Sequence, residues 1–210
     1  MNHKLPNQIP IFPLSGVIYF PNTNLPLNIF EKRYLDLVND TMKTNKLMGM
    51  VQSKREGGEV YNVGCLGKID EFNKNEDGRL IINLSGISRF KIIREVNNSK
   101  LYREFEVEYK EFERDCDKNL KFDIKDMEFN LLLDKSRNFF EKNGLLINWK
   151  EFEKIEKEQQ INTLAMISPI SDGEKQKLLE TTTPNEKTKV LTDIIEFYLH
   201  DNNFNKITLQ

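Results

Sequence analysis

The chain has 210 residues, of which 38% are hydrophobic and 30% charged, and its formal net charge is −2. These totals are typical of a globular protein that buries its own core. The sequence has no run of about 18 apolar residues, so we expect no membrane span. It has no paired-cysteine spacing and no concentrated positive charge, so we expect neither a zinc site nor nucleic-acid binding. The first residues show no apolar leader, which favours a cytoplasmic location.

The N-terminal stretch alternates short apolar runs with prolines before it changes period. Residues 9–14 and 25–29 are predicted strands, because proline is tolerated at strand ends and sheet edges. A helix is predicted from Phe30 onward. Its apolar face, at spacings of three and four, comprises Phe30, Tyr34, Leu37, Val38 and Met42.

Further strands are predicted through the rest of the first half. Asp77-Gly78 between alternating runs indicates a hairpin. In the last predicted strand, Phe105 and Val107 alternate with glutamates, which indicates one solvated face. The predicted strands cover residues 47–51, 63–72, 80–84, 88–96 and 104–109.

After about residue 110 the apolar period becomes helical. Gly144 can end the first helix of this half. Ser171 with Glu174 matches a capping box, and Thr183 before Pro184 repeats the start signal. The predicted helices cover residues 123–143, 150–167 and 171–179, and a last one follows Pro184.

Four segments carry a resemblance to a known family: residues 9–38, 61–69, 77–90 and 164–180. Together they resemble the N-terminal domain family of Lon proteases. The resemblance implies an α+β fold, with an N-terminal PUA-like twisted β-barrel carrying one packed helix, followed by a C-terminal helical bundle. We expect the β-rich part over residues 1–110 and the bundle over 111–210, packed on it as one body.

The resemblance implies a non-catalytic module that recognises unfolded or extended polypeptide in protein quality control, and a full-length Lon protease as a further partner. The family's proteases add an ATPase and a peptidase, for which this chain is too short, so we expect no enzyme activity and no cofactor. One alternative is an ATP-dependent serine protease of the La type. A second is an RNA-binding PUA-like module, which the scattered basic residues disfavour.

Motifs for catalysis are weak. The run Gly64-Cys65-Leu66-Gly67-Lys68 lacks the spacing and the Ser or Thr of a phosphate-binding loop, and we interpret its glycines as places where another backbone passes close. The serine–lysine neighbours Ser53-Lys54 and Ser99-Lys100 lie in predicted turns. His3 and His200 lie near the chain ends. We therefore assign no catalytic residue and no metal ligand.

The candidate binding residues lie on either side of the second predicted strand. Tyr19, Phe20 and Pro21 fall in a loop, where large apolar groups are hard to bury, and can offer an apolar surface to an extended peptide. Glu31, Lys32 and Arg33 open the helix and can bind the charged flanks of a partner. These six residues form the predicted peptide-binding groove.

Overall fold

The computed structural model describes residues 5–54, 58–117 and 123–200. The chain divides into two compact units, Met1–Leu120 and Lys121–Gln210. Among the described residues, the first contains the strands, one α-helix and a 3₁₀ helix, and the second contains helices, so the α+β order expected from the sequence is confirmed. None of the helices in the described residues is long and apolar enough to cross a membrane.

Six strands build the sheet of the first unit. Along the sheet their order is β2-β5-β4-β3-β1-β6, and all neighbouring strands are antiparallel except β1 and β3. The residues predicted as two strands, 80–84 and 88–96, form one continuous strand. The bounds are β1 Gln8–Leu14, β2 Asn24–Ile29, β3 Leu47–Gln52, β4 Val63–Lys74, β5 Leu80–Val96 and β6 Arg103–Glu108.

The length of β5 decides how the sheet closes. Its first half pairs with β2 and its second half pairs with β6, which also pairs with β1. The sheet therefore curls until β6 meets β5. Because β2 pairs with β5 alone among the described strands, the result is not a clean barrel, and β2 remains an edge strand.

The core of the first unit is built from the inward side chains that the strand period predicts. One cluster of buried apolar residues in this core comprises Ile9, Ile11, Val51, Leu66, Phe90, Phe105 and Val107.

The predicted Asp-Gly hairpin turn is occupied by Gly78. Its φ is +86°, at which a residue with a side chain would be strained.

Helix α1 covers Lys32–Met42, two residues later than predicted. Tyr34 packs edge-on against Phe12 of β1, with ring centroids 4.2 Å apart, and Leu37 and Val38 are buried. Phe30 does not belong to this apolar face. It precedes the helix and is 65% exposed, so its predicted place on the apolar face of the helix is wrong.

A 3₁₀ segment, Lys110–Cys116, follows β6 and lies against β5. Its Asp115 carboxylate accepts hydrogen bonds from Nε and Nη2 of Arg89, at 2.9 and 2.8 Å, and from the Arg89 backbone N–H. The Phe112 ring lies 4.5 Å from the same guanidinium. Both charged side chains are nearly fully buried, so this ion pair is a core contact of the unit.

The second unit contains five helices in its described part. The helix predicted over residues 150–167 is wrong, because the chain turns at residues 153–156 between α3 and α4. Residues 153–156 are charged except for Ile155, which is half-buried, so they supply no continuous apolar face for a helix. The bounds are α2 Asp126–Lys142, α3 Trp149–Phe152, α4 Lys157–Ile167, α5 Asp172–Glu180 and α6 Pro184–His200.

Helices α2 and α6 pack side by side in the second unit. Phe139 contacts Tyr198, with ring centroids 5.8 Å apart, and the Lys142 ammonium donates to the carbonyl of Leu199 at the end of α6. Such a lysine satisfies terminal carbonyls and complements the helix dipole. The predicted capping box of Ser171 and Glu174 is confirmed at the start of α5.

Candidate functional site

The loop that was predicted to offer an apolar surface is instead part of the core. Tyr19 and Phe20 are 1% and 0% exposed, and Pro21 is also buried. The loop is held by Thr23, whose hydroxyl donates to the Phe20 carbonyl at 2.7 Å. The prediction of an exposed groove over these three residues is therefore wrong, since the rest of the protein covers their side chains.

Two glycines on neighbouring strands explain this burial. Gly67 of β4 and Gly86 of β5 lie directly opposite each other, which leaves a part of the sheet without side chains. The Tyr19 hydroxyl lies over Gly67, and the backbone of Phe20 lies against Gly86, where in each case an added Cβ would overlap it. Gly86 also exchanges backbone hydrogen bonds with Asn22 and Thr23. The two glycines thus leave the space in which this loop packs on the sheet.

We expect Gly67→Ala to lower the free energy of unfolding by about 1–3 kcal/mol, because the new methyl group meets the Tyr19 hydroxyl in a packed core. Tyr19→Phe removes that oxygen, which is buried without a hydrogen-bond partner among the described residues. The double variant should therefore recover part of the loss in urea denaturation. Equal stability of Gly67→Ala and its parent would show that the loop does not lie on Gly67.

The exposed part of the predicted site is the junction between β2 and α1. We call residues Phe30, Glu31, Lys32 and Arg33 the β2–α1 corner, and all four are exposed. Arg33 pairs with Glu31 at 2.8 Å and its guanidinium also lies 4.5 Å from the Tyr34 ring. Within the described chain Lys32 has no charged partner. The corner thus combines an exposed aromatic ring with one uncompensated positive charge.

The edge strand extends this surface. Exposed and buried residues alternate along β2, and the alternation continues to Phe30, which places Pro26, Asn28 and Phe30 on one side of the sheet. Ile81 of β5 lies opposite Asn28 and is 43% exposed. The period of two in Leu27 and Ile29 is the signal that could have placed Phe30 outside. The predicted helix began two residues too early and therefore assigned Phe30 to the helical apolar face.

The glycine-rich run in β4 is not a phosphate-binding loop, as predicted. Gly64 lies inside a paired strand, and a Cβ there would overlap the backbone carbonyl of Met50 in β3. Phosphate-binding loops instead join a strand to the N-terminus of a helix. Gly64 is therefore required for close strand packing, as the sequence predicted.

The serine–lysine neighbours lack the properties of a catalytic pair. Lys100 binds Glu104 at 2.8 Å, and this contact raises the pKa of the lysine, whereas a lysine that acts as a base needs a lowered pKa. Lys54 lies 3.7 Å from Glu59. His200 is exposed beside Glu196, and His3 lies outside the described residues.

Two glutamates on the glutamate face of β6 form ion pairs. Glu106 binds Arg94 of β5 at 2.7 Å, and Glu104 binds Lys100 at 2.8 Å. On the other face of the strand, Arg103 binds Glu95 of β5 at 2.6 Å. These cross-strand pairs give the arginines carboxylate partners, which disfavours a phosphate-binding row. In the part of the chain that the structure describes, no group of three or more His, Cys, Asp or Glu side chains could hold a metal ion.

Residues 8–196 match the sequence profile of the ATP-dependent protease La (LON) substrate-binding domain. The chain belongs to this family. The match extends from β1 into α6 and so includes strands, the β2–α1 corner and helices. In this family the domain is the non-catalytic, substrate-binding part of the protease.

Relatives include the Lon proteases of Syntrophus aciditrophicus, 26% identical over 93% of this chain, and of Dictyoglomus thermophilum, 27% identical over 90%. The Lon protease of Desulfosudis oleivorans is 32% identical over 42% of the chain. The chain spans 26% and 24% of the length of the first two proteins. The similarity therefore concerns a substrate-binding domain and not a whole protease.

Two solved structures share the fold. The Lon N-terminal domain protein from Xanthomonas campestris superposes with a TM-score of 0.68 at 23% identity, over 89% of this chain and 97% of that one. The N-terminal domain of Lon protease from the Mycobacterium avium complex gives 0.65 at 14% identity, over 90% and 98%. They support the mixed α+β fold, a sheet followed by helices.

Proposed function

We propose that this protein binds unfolded or extended polypeptide without cleaving it, and that the β2–α1 corner is the contact surface. The single observation that carries the proposal is Phe30, a large aromatic side chain that is 65% exposed in a member of a substrate-binding family. A lone exposed aromatic ring beside charged residues is a suitable anchor for an apolar side chain of a partner.

The chemistry of the corner favours a particular kind of segment. Phe30, Pro26 and Ile81 offer apolar contacts on one side of the sheet, and β2 is an edge strand along which an extended chain can lie. Lys32 adds a positive charge that suits an acidic residue in the ligand. The expected ligand is therefore an extended segment with an apolar residue close to an acidic one.

The proposal includes a cytoplasmic location and a full-length Lon protease as a further partner. Support for both comes from the relatives, which are Lon proteases whose own substrate-binding domain corresponds to this chain. A chain with the same fold as that domain can deliver or withhold the same polypeptides. Binding of the purified protein to such a protease, measured together with a denatured substrate, would test this part.

We expect Phe30→Ser to weaken binding of a permanently unfolded protein, such as reduced and carboxymethylated α-lactalbumin, by about fivefold to tenfold, the effect of losing one interface anchor. The parent should bind in the micromolar range or more weakly, because few anchors must overcome roughly 4–15 kcal/mol of association entropy. Biolayer interferometry with the immobilised substrate measures both.

A matched control for this test is Ile93→Ser. Ile93 is 50% exposed and lies in the half of β5 that pairs with β6, away from β2. The substitution therefore removes a similar exposed apolar group outside the β2–α1 corner. Both variants should melt within a few degrees of the parent, since both side chains are exposed. Unchanged binding by Phe30→Ser, or an equal loss in both variants, would contradict a site at the corner.

A further inference from the structure

The outer edge of β2 carries backbone groups that its own sheet does not use. The Thr23 carbonyl accepts a hydrogen bond from the Gly86 N–H at 2.9 Å, so the Thr23 carbonyl faces β5. Because the backbone groups of successive residues point to opposite edges of a strand, Leu25 and Leu27 also face β5. The residues whose backbone groups point away from the sheet are Asn24, Pro26 and Asn28.

Pro26 supports this orientation independently. Proline has no N–H, so a proline that faced β5 would interrupt the ladder, yet the pairing of β2 with β5 runs unbroken along the whole strand. In the described part of the first unit, no hydrogen bond reaches the backbone of Asn24, Pro26 or Asn28. The side chains of all three residues are exposed, so solvent and ligands can reach this edge.

The unused groups define the chemistry of the partner that fits them. Each of the three residues offers a carbonyl, and Asn24 and Asn28 also offer an N–H, so the groups recur at every second residue as a neighbouring strand requires. A second copy of the chain fits less well, because both central residues lack an N–H in a two-fold pair of β2 strands centred on Pro26. A different segment can place a donor opposite the Pro26 carbonyl.

We infer that an extended polypeptide binds the outer edge of β2 as an additional strand, held through its backbone. Every second residue of the ligand donates its N–H to a carbonyl of Asn24, Pro26 or Asn28, and its carbonyls accept from the N–H groups of Asn24 and Asn28. That the ligand is a polypeptide bound beside Phe30 rests on the proposed function. The added strand gives a selection rule, since a ligand with proline or another N-substituted residue at those alternate positions is rejected whatever its side chains.

The test uses the full chain and a capped, fluorescein-labelled ten-residue peptide in which leucine and glutamate alternate. Two further versions carry an N-methyl group on every leucine or on every glutamate. Because an added strand uses the N–H groups of alternate residues only, fluorescence anisotropy should show one methylated peptide bound about tenfold more weakly than the unmethylated one, and the other within about threefold of it. Equal dissociation constants for the two methylated peptides would overturn the inference.

Variants of β2 test the same contacts from the side of the protein. Asn28→Pro and Asn28→Ala both remove the asparagine side chain, but only Asn28→Ala keeps the N–H, so Asn28→Pro should bind the unmethylated peptide about fivefold more weakly than Asn28→Ala. Pro26→Ala adds an N–H to the edge and should bind it severalfold more tightly than the parent, which keeps the test decisive even where Asn28→Pro does not fold. Equal affinity of the parent and Pro26→Ala would contradict a backbone contact. A dimer of the parent in sedimentation velocity that Asn28→Pro abolishes would assign the edge to a second copy and overturn the inference.

Phe30→Ser, measured in parallel on denatured α-lactalbumin, separates this inference from the proposed function. If Phe30→Ser loses binding of the denatured protein while the two methylated peptides bind equally well, the corner stands and the added strand does not. If the methylated peptides differ as expected while Phe30→Ser binds the denatured protein as the parent does, the edge stands and Phe30 is not the anchor. A parent that binds the denatured protein but not the unmethylated peptide also overturns the inference.

Discussion

Asp115→Ala should lower the free energy of unfolding of the first unit by about 3–5 kcal/mol, because it leaves the buried Arg89 guanidinium without its carboxylate partner. The loss is large since Asp115 accepts both side-chain and backbone hydrogen bonds from Arg89. Urea denaturation followed by amide hydrogen exchange in β5 measures it. The matched control is Glu106→Ala, whose pair with Arg94 is solvent-exposed and should be worth at most about 1 kcal/mol.

A double variant distinguishes loss of a partner from loss of packing. Arg89→Met with Asp115→Leu removes both charges and keeps apolar volume, so it should be much more stable than Asp115→Ala alone. If Asp115→Ala unfolds at the same urea concentration as Glu106→Ala, the ion pair is not a core contact. The only tryptophan, Trp149, reports the second unit. The sequence predicts that the two halves pack as one body, and a parallel shift of the Trp149 fluorescence would support this prediction.

Phe20→Ala should cost about 3–5 kcal/mol, as truncation of a fully buried phenylalanine does. Phe30→Ala is its matched control, because Phe30 is 65% exposed and its truncation leaves no cavity. Thermal unfolding should therefore separate the two variants by many degrees. Their binding of denatured α-lactalbumin, compared at a temperature where both are folded, should show the reverse order, with the larger loss in Phe30→Ala.

This pair of variants tests the placement of the binding surface directly. A Phe20→Ala variant as stable as its parent would mean that the loop leaves the paired glycines and is available to ligands. A Phe30→Ala variant that melts as early as Phe20→Ala would mean that the corner is structural. Either result would contradict the separation of core and surface described above.

Much of the local structure follows from the sequence because its cause is local. The alternating period in residues 103–108 places Phe105 and Val107 inside. Asp77-Gly78 predicts the hairpin, since glycine adopts the positive φ that the turn requires. The Ser171–Glu174 capping box predicts the start of α5 because both its hydrogen bonds join residues three apart. For the candidate site, the exposure of Glu31, Lys32 and Arg33 also followed from the sequence.

Only the tertiary structure decided the features that depend on distant partners. Phe20 is buried because Gly86, 66 positions later in the chain, leaves space for it, and Arg89 is buried because Asp115 neutralises it. Phe30 is exposed because the chain leaves β2 with its strand period intact and α1 begins only at Lys32. The hydrophobicity and the periodicity of the sequence indicate which residues can be buried. Which of them are buried depends on whether the opposing surface has room and matching charge, and that surface forms only when the chain folds.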